Sequence, residues 1–357
     1  MNARDSVPAA WRRDAAICAG LLALAAVVRV LFLLGTADRG FPFSVFYYGD
    51  SRVYREFALA ILRGAPFDQG LPFHPPGFAW LLAWGIEAVG ERPTLLRALL
   101  AVLSATAAPV TYLLGARLWG RTVGVVAALL FIFSFGACVA AVSANVESIY
   151  LPIVVAQVFA AERLASSLAE GRGGARRWAA ACGALIGCGA LVRAEHLGYV
   201  WIVPLALLLA PRGVERRRVA AYAAICLGVA GLVVAPWVLS SGRSIARFNE
   251  AHPELARPLP TIVPVSGYGP LNFALANHAG ADGTFRPDAL VPGMGTGRLR
   301  PDESASVSSM RMQRRPTTRP SRVSTSWGAE RYSIFTASDS AAWISSSQAG
   351  ISARVRR

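Results

Sequence analysis

The chain has 357 residues, of which 54% are hydrophobic and only 16% charged, with a mean hydropathy of +0.43. That composition excludes an ordinary soluble domain. The net charge of +15 first suggests nucleic acid, but all 36 basic residues are Arg, and those not in the last sixty residues cluster between apolar runs. A basic footprint without a soluble domain to carry it excludes nucleic acid as the expected partner.

The first apolar run, residues 15–35 (AAICAGLLALAAVVRVLFLLG), is long enough to cross a bilayer, which takes about 20 residues. Arg4, Arg12 and Arg13 precede it, as in a signal peptide. The run exceeds an h-region and others follow, so it reads as an uncleaved first span. Next comes a loop over 36–97, with an amphipathic helix over 51–63 and a His74-Pro75-Pro76-Gly77 turn. Further apolar runs cover 98–116, 122–143, 147–161, 178–192, 197–210 and 219–239. The five Cys (18, 138, 182, 188 and 226) all lie within apolar runs and read as small packing residues, with no CxxC spacing.

Charge sets the orientation. Arg117 and Arg121 flank one connection; Arg163, Arg172, Arg176 and Arg177 crowd a second; Arg212, Arg216, Arg217 and Arg218 crowd a third. With the basic N-terminus these belong on the cytoplasmic side. That alternation holds only if 74–90 does not cross but lies along the outer surface as an interfacial helix, with Trp80 and Trp84 at headgroup depth. The expectation is an all-α polytopic transmembrane bundle of about seven spans, N-terminus cytoplasmic. The runs at 178–192 and 197–210 are short for spans, and a re-entrant pair is the other reading of them.

The core is expected over 1–240 and an extracytoplasmic Pro- and Gly-rich segment over 241–297. From 298 to 357 Ser, Arg, Thr and Pro dominate without periodicity, which reads as a disordered tail or as out-of-frame translation. On the second reading this copy is truncated and inactive.

The outer face is where chemistry is expected. Asp50 sits at the membrane exit, as an N-cap for 51–63, as a general base taking a hydroxyl proton, or as both. Glu147 opens a span on the same side, where the helix dipole favours an acid, and is its candidate partner. Arg193 and His196 lie on the turn between two runs. Arg29, inside the first span, either snorkels to headgroups or, like Arg193, offers a guanidinium fork to a lipid phosphate. His74 reads equally as an interfacial polar residue. No metal-ligand spacing, phosphate-cradling glycine loop or nucleophile elbow occurs, so no cofactor or metal is assigned. An enzyme here needs an activated donor already in the membrane.

The order of motifs is that of a known group. A span with an internal Arg leads to Gly49-Asp50, Tyr54 and an alanine-rich helix ending Leu62-Arg63-Gly64. Then follow His74-Pro75-Pro76-Gly77, Gly90, the TLLRALLAVLSA run with Arg97, the Arg117-Leu118-Trp119-Gly120 turn, and Glu147 at a span head. Over about residues 15–240 this resembles the GT-C polytopic glycosyltransferases, specifically the dolichyl-phosphate-mannose protein mannosyltransferase and aminoarabinose lipid A transferase group.

The resemblance implies a polyprenyl-phosphate sugar as donor, a lipid, glycan or protein acceptor on the extracytoplasmic side, and a cell membrane location, with a bacterial inner membrane expected. It implies Asp50 as catalytic base for an inverting transfer. Many relatives carry two adjacent acids where the chain has Gly49-Asp50, so the neighbour's role is either unfilled or passes to Glu147 as catalytic partner. Arg29, Tyr54, His74, Arg193 and His196 are the candidate substrate-binding residues. A transporter or flippase of lipid-linked sugars is the alternative, disfavoured because the polar residues gather at one face and not at the bilayer midplane. A non-catalytic membrane scaffold is the third reading.

Overall fold

A computed structural model describes residues 3–36, 50–171, 174–208, 215–253 and 258–267, and among them every regular element is helical. The Asp50–Leu62 helix falls within this set; the 298–357 tail and most of 241–297 lie outside it. The chain divides into two compact units, 1–248 with 260–267, and 249–259 with 268–357. In the second, the Asn249 amide clasps the backbone N–H and carbonyl of Leu259, both at 2.9 Å.

The first unit is a bundle. Helix α1 (Ala3–Thr36) is followed by α2 (Asp50–Leu62) and α3 (Gly77–Val89). In α2 the buried residues Ser51, Tyr54 and Ala58 fall three and four apart, one stripe facing the core. In α3 Phe78, Ala79, Leu82, Ala83, Gly85 and Ile86 are buried, and α3 packs on α2 and on the two helices α4 and α9 defined below. The helix over the stretch expected to be interfacial, 74–90, buries one face in the bundle, with Trp84 left exposed and Trp80 stacked edge-on against Trp237 at 5.8 Å.

Helix α4 (Pro93–Ala105) starts with proline at its first position, where the missing N–H costs nothing. It continues through Thr106 into α5 (Ala107–Trp119), so that Pro93–Trp119 forms one apolar stretch of 27 residues. Gly120, at φ +93°, turns the chain into α6 (Arg121–Phe133), which packs tightly back on α5: a Cβ on Gly124 would lie 2.5 Å from the Tyr112 carbonyl. Ser134 caps α7 (Phe135–Val142), its hydroxyl accepting from Ala137 N–H, and α7 bends 58° away from α6. Then come α8 (Glu147–Ala169), α9 (Ala175–Val192), α10 (Tyr199–Leu208) and α11 (Arg216–Ala251).

Four helices among the described residues are long and apolar enough to cross a membrane, Trp11–Thr36, Pro93–Trp119, Glu147–Ala169 and Arg216–Ala251; the bent α6–α7 pair makes a fifth. The flanks carry large exposed apolar side chains, Leu31 at 62%, Leu130 at 70% and Leu232 at 74%, as lipid-facing surfaces do. This is consistent with the all-α polytopic expectation. The count differs from seven at 178–192 and 197–210. Two of the 18 residues of α9 are Arg176 and Arg177, and α10 has 10 residues. At about 1.5 Å per residue α10 covers half of a hydrocarbon core about 30 Å thick.

Candidate functional site

The loop between α2 and α3 is organised by its prolines. Pro72, Pro75 and Pro76 have no backbone N–H, so Phe73 and His74 hold the only two donors of the 72–76 stretch. Both reach one oxygen: Asp68 Oδ2 accepts from Phe73 N–H at 3.0 Å, which is shared with Leu71 O at 2.9 Å, and from His74 N–H at 2.8 Å, and also lies 2.9 Å from His74 Nδ1. Asp68 reaches back because it sits at φ +48° in a short 3₁₀ turn (Phe67–Gly70), a left-handed geometry that Asp tolerates better than most side chains. The Gly267 N–H donates to Pro72 O at 2.9 Å, and Trp237, whose Nε1 donates to Val265 O at 2.7 Å, meets Phe67 at 5.4 Å. The loop is thus held from three sides.

Tyr54 is the hub of this end of the bundle. It is buried against α3, with Phe78 at 5.2 Å, Phe57 at 6.1 Å and His74 at 6.2 Å, all edge to face. Burial pushes its phenol well above the usual tyrosine range, and the carboxylates of Asp50, Glu147 and Asp68 push the same way against Arg193. Tyr54 is therefore a neutral phenol that feels charges from three separate stretches of sequence. Asp50 itself is exposed in the first turn of α2.

Glu147 and Arg193 form a pair, Nη1 to Oε1 at 2.8 Å, and Arg193 Nε also reaches Glu195 at 3.6 Å while its guanidinium lies over the Tyr150 ring at 5.4 Å. The expected phosphate ligand is thus already held by two carboxylates. His196 is fully buried, its Nδ1 3.2 Å from Tyr150 Oη and its ring 4.5 Å from Tyr199. Burial lowers its pKa to about 4, so it is neutral at physiological pH. It fits there because position 189 is glycine: a Cβ would stand 2.2 Å from the imidazole Cδ2. His196 therefore lies behind Tyr150, not on the surface that Asp50 faces.

Arg29 lies elsewhere. It is fully buried in α1, its Nη1 donating to Ala25 O at 3.3 Å and its guanidinium 5.3 Å from the Phe131 ring, while Nε and Nη2 have no hydrogen-bond partner. No contact among the described residues joins it to the Tyr54 group. Sequence reasoning missed Asp68 as a site residue and gave Arg97 no role. Arg97 is buried in α4, its Nε donating to Val142 O at 2.7 Å, which ties down the last carbonyls of α7, and its Nη2 is unpartnered. A lone charge in an apolar run was the signal for Arg97. For Asp68 the signal was an acid before a proline-flanked stretch with two donors.

Residues 73–239 match the family model of the dolichyl-phosphate-mannose-protein mannosyltransferases, a little under half of the chain. The match supports the GT-C resemblance. It takes in His74, Glu147, Arg193 and His196, whereas Arg29, Asp50 and Tyr54 precede it. No curated protein and no solved structure matches the chain.

Proposed function

On a family match that supports a membrane glycosyltransferase in general, we propose that this protein transfers a sugar from a polyprenyl-phosphate donor to an acceptor hydroxyl on the extracytoplasmic face, with inversion. Asp50 takes the acceptor proton as that oxygen attacks the anomeric carbon. The bond from anomeric carbon to phosphate oxygen breaks, and its electron pair leaves with polyprenyl phosphate. Tyr54 donates a hydrogen bond to the sugar, and Glu147 orients Arg193 beside it.

One observation carries the choice of base. Of the three carboxylates that act on Tyr54, Glu147 is ion-paired with Arg193 and Asp68 is taken up by hydrogen bonds from the 73–74 backbone and contact with His74 Nδ1, while Asp50 has no ion pair among the described residues. An exposed carboxylate with no described cation beside it suits proton abstraction. The test is Asp50→Asn in proteoliposomes given polyprenyl-phosphate mannose, where transfer is expected to fall about 10²–10⁴-fold. Transfer at the wild-type rate rules out Asp50 as base. Orientation is tested with cysteines at the exposed positions Arg63 and Arg217, expected to label from opposite sides of sealed vesicles.

A further inference from the structure

A cleft of about 630 Å³ lies where the end of α8 meets the starts of α9 and α11. Along α8, Ser167 in its wall stands about 30 Å from Glu147 at about 1.5 Å per residue, the thickness of a hydrocarbon core. The cleft therefore opens at the level of the opposite leaflet from the Tyr54 group. Arg176 and Arg218 line it and are exposed, while Leu168, Tyr222 and Ile225 give it a half-buried apolar wall.

Among the described residues no acid lines this cleft, and Arg176 has no ion pair. Arg218 Nε reaches Glu215 at 3.4 Å, but the two side chains are 70% and 63% exposed, and a pair so hydrated holds a guanidinium weakly. Ser167 is 7% exposed, and its hydroxyl makes no hydrogen bond among the described residues, whereas the adjacent Ser166 donates to Glu162. Gly174, at φ +117°, leads into α9 without a side-chain cap, so the first N–H groups of α9 lack the acceptor that a Ser or Asp would supply. Two guanidinium groups, a buried hydroxyl and uncapped N–H groups together suit a phosphate, whose oxygens accept from all three. The apolar wall belongs in part to α11, which is long and apolar enough to cross a membrane, so the phosphate that fits carries a hydrocarbon chain.

We infer that this cleft binds an anionic phospholipid of the leaflet opposite the Tyr54 group, its phosphate between Arg176 and Arg218 and an acyl chain along Tyr222 and Ile225. The inference requires that the bundle span the membrane and does not depend on the glycosyl-transfer reading.

The test is native mass spectrometry of the full chain in detergent, titrated with phosphatidylglycerol or with phosphatidylethanolamine of the same acyl chains. Phosphatidylglycerol is expected to bind at least about tenfold more tightly, because the ethanolamine ammonium meets the two arginines. Equal affinity overturns the inference. Arg176→Gln with Arg218→Gln is expected to weaken phosphatidylglycerol at least about tenfold, as for lost charge-assisted hydrogen bonds. Arg177→Gln with Arg217→Gln removes the same charge from exposed residues outside the cleft and is expected to stay within about threefold of wild type. Equal losses in the two pairs mean a diffuse attraction to the basic surface and overturn the site. Glycerol phosphate, which has the headgroup chemistry and no acyl chain, is expected to leave the bound lipid in place at equal concentration. Displacement there means a site for a soluble anion and overturns the lipid assignment. If the cleft pair fails to fold, the comparison of the two lipids and the competition still decide.

Discussion

The two ends of the bundle each bury a tyrosine beside charged groups, and they use it differently. At the Tyr112 end, Tyr112 donates to Asp14 Oδ1 at 2.6 Å, and Arg121 meets both oxygens of Asp14 at 2.7 and 3.0 Å. Nearby, Arg117 grips both oxygens of Glu162 at 2.9 and 3.3 Å, and Ser166 adds a third bond at 2.6 Å. Asp14 and Glu162 each have a cation, and the forks tie α1 to α6 and α5 to α8. At the Tyr54 end three carboxylates act on one buried phenol, and Asp50 among them has no partner among the described residues. A closed network spends its charges on holding helices together. An open one leaves a charge available to a substrate.

That contrast can be broken by matched substitutions. The largest effect is expected from Asp50→Asn, which loses transfer by about 10²–10⁴-fold, while Asp14→Asn stays within about threefold of wild type in the same assay. Equal losses would erase the distinction between the ends. Next is a pH effect at His196. Its pKa is about 4 in the fold against about 6.5 unfolded, so as pH falls through that window the unfolded chain takes up a proton that the folded chain refuses. Thermal unfolding between pH 7 and 4 should show a loss on the order of 3 kcal/mol, abolished in His196→Phe if that variant folds. A third change, Gly189→Ala, forces a Cβ into the same imidazole and should cost about 1–3 kcal/mol in denaturant unfolding. The smallest is Tyr112→Phe, expected to cost about 1 kcal/mol of stability and nothing in transfer.

The long apolar rods were legible because length and composition alone identify them: 15–35, 98–116, 147–161 and 219–239 all lie within helices that meet the span criterion. The 51–63 helix was legible from its i, i+3, i+7 stripe, and Asp50, Tyr54 and Glu147 could be placed at one end by charge alternation. Other features depend on backbone geometry or contacts that a pattern does not carry. Asp68 reaches His74 through one left-handed residue. The burial of α3 comes from its packing against α2, α4 and α9, which its two tryptophans concealed. His196 read as a surface turn residue because Gly189, which makes room for it, sits seven positions earlier on a different element.

The proline run after Asp68 has a consequence for measurement. Between positions 72 and 76 only Phe73 and His74 carry an exchangeable backbone amide, and both donate to the same carboxylate oxygen. His74 deuterium uptake therefore gauges whether that carboxylate stays in place, while Phe73, whose N–H is shared with Leu71 O at 2.9 Å, reports the turn as well. If they exchange together, and slow together when a sugar is bound, the loop opens as one unit. If His74 exchanges alone, the hinge lies at Phe73.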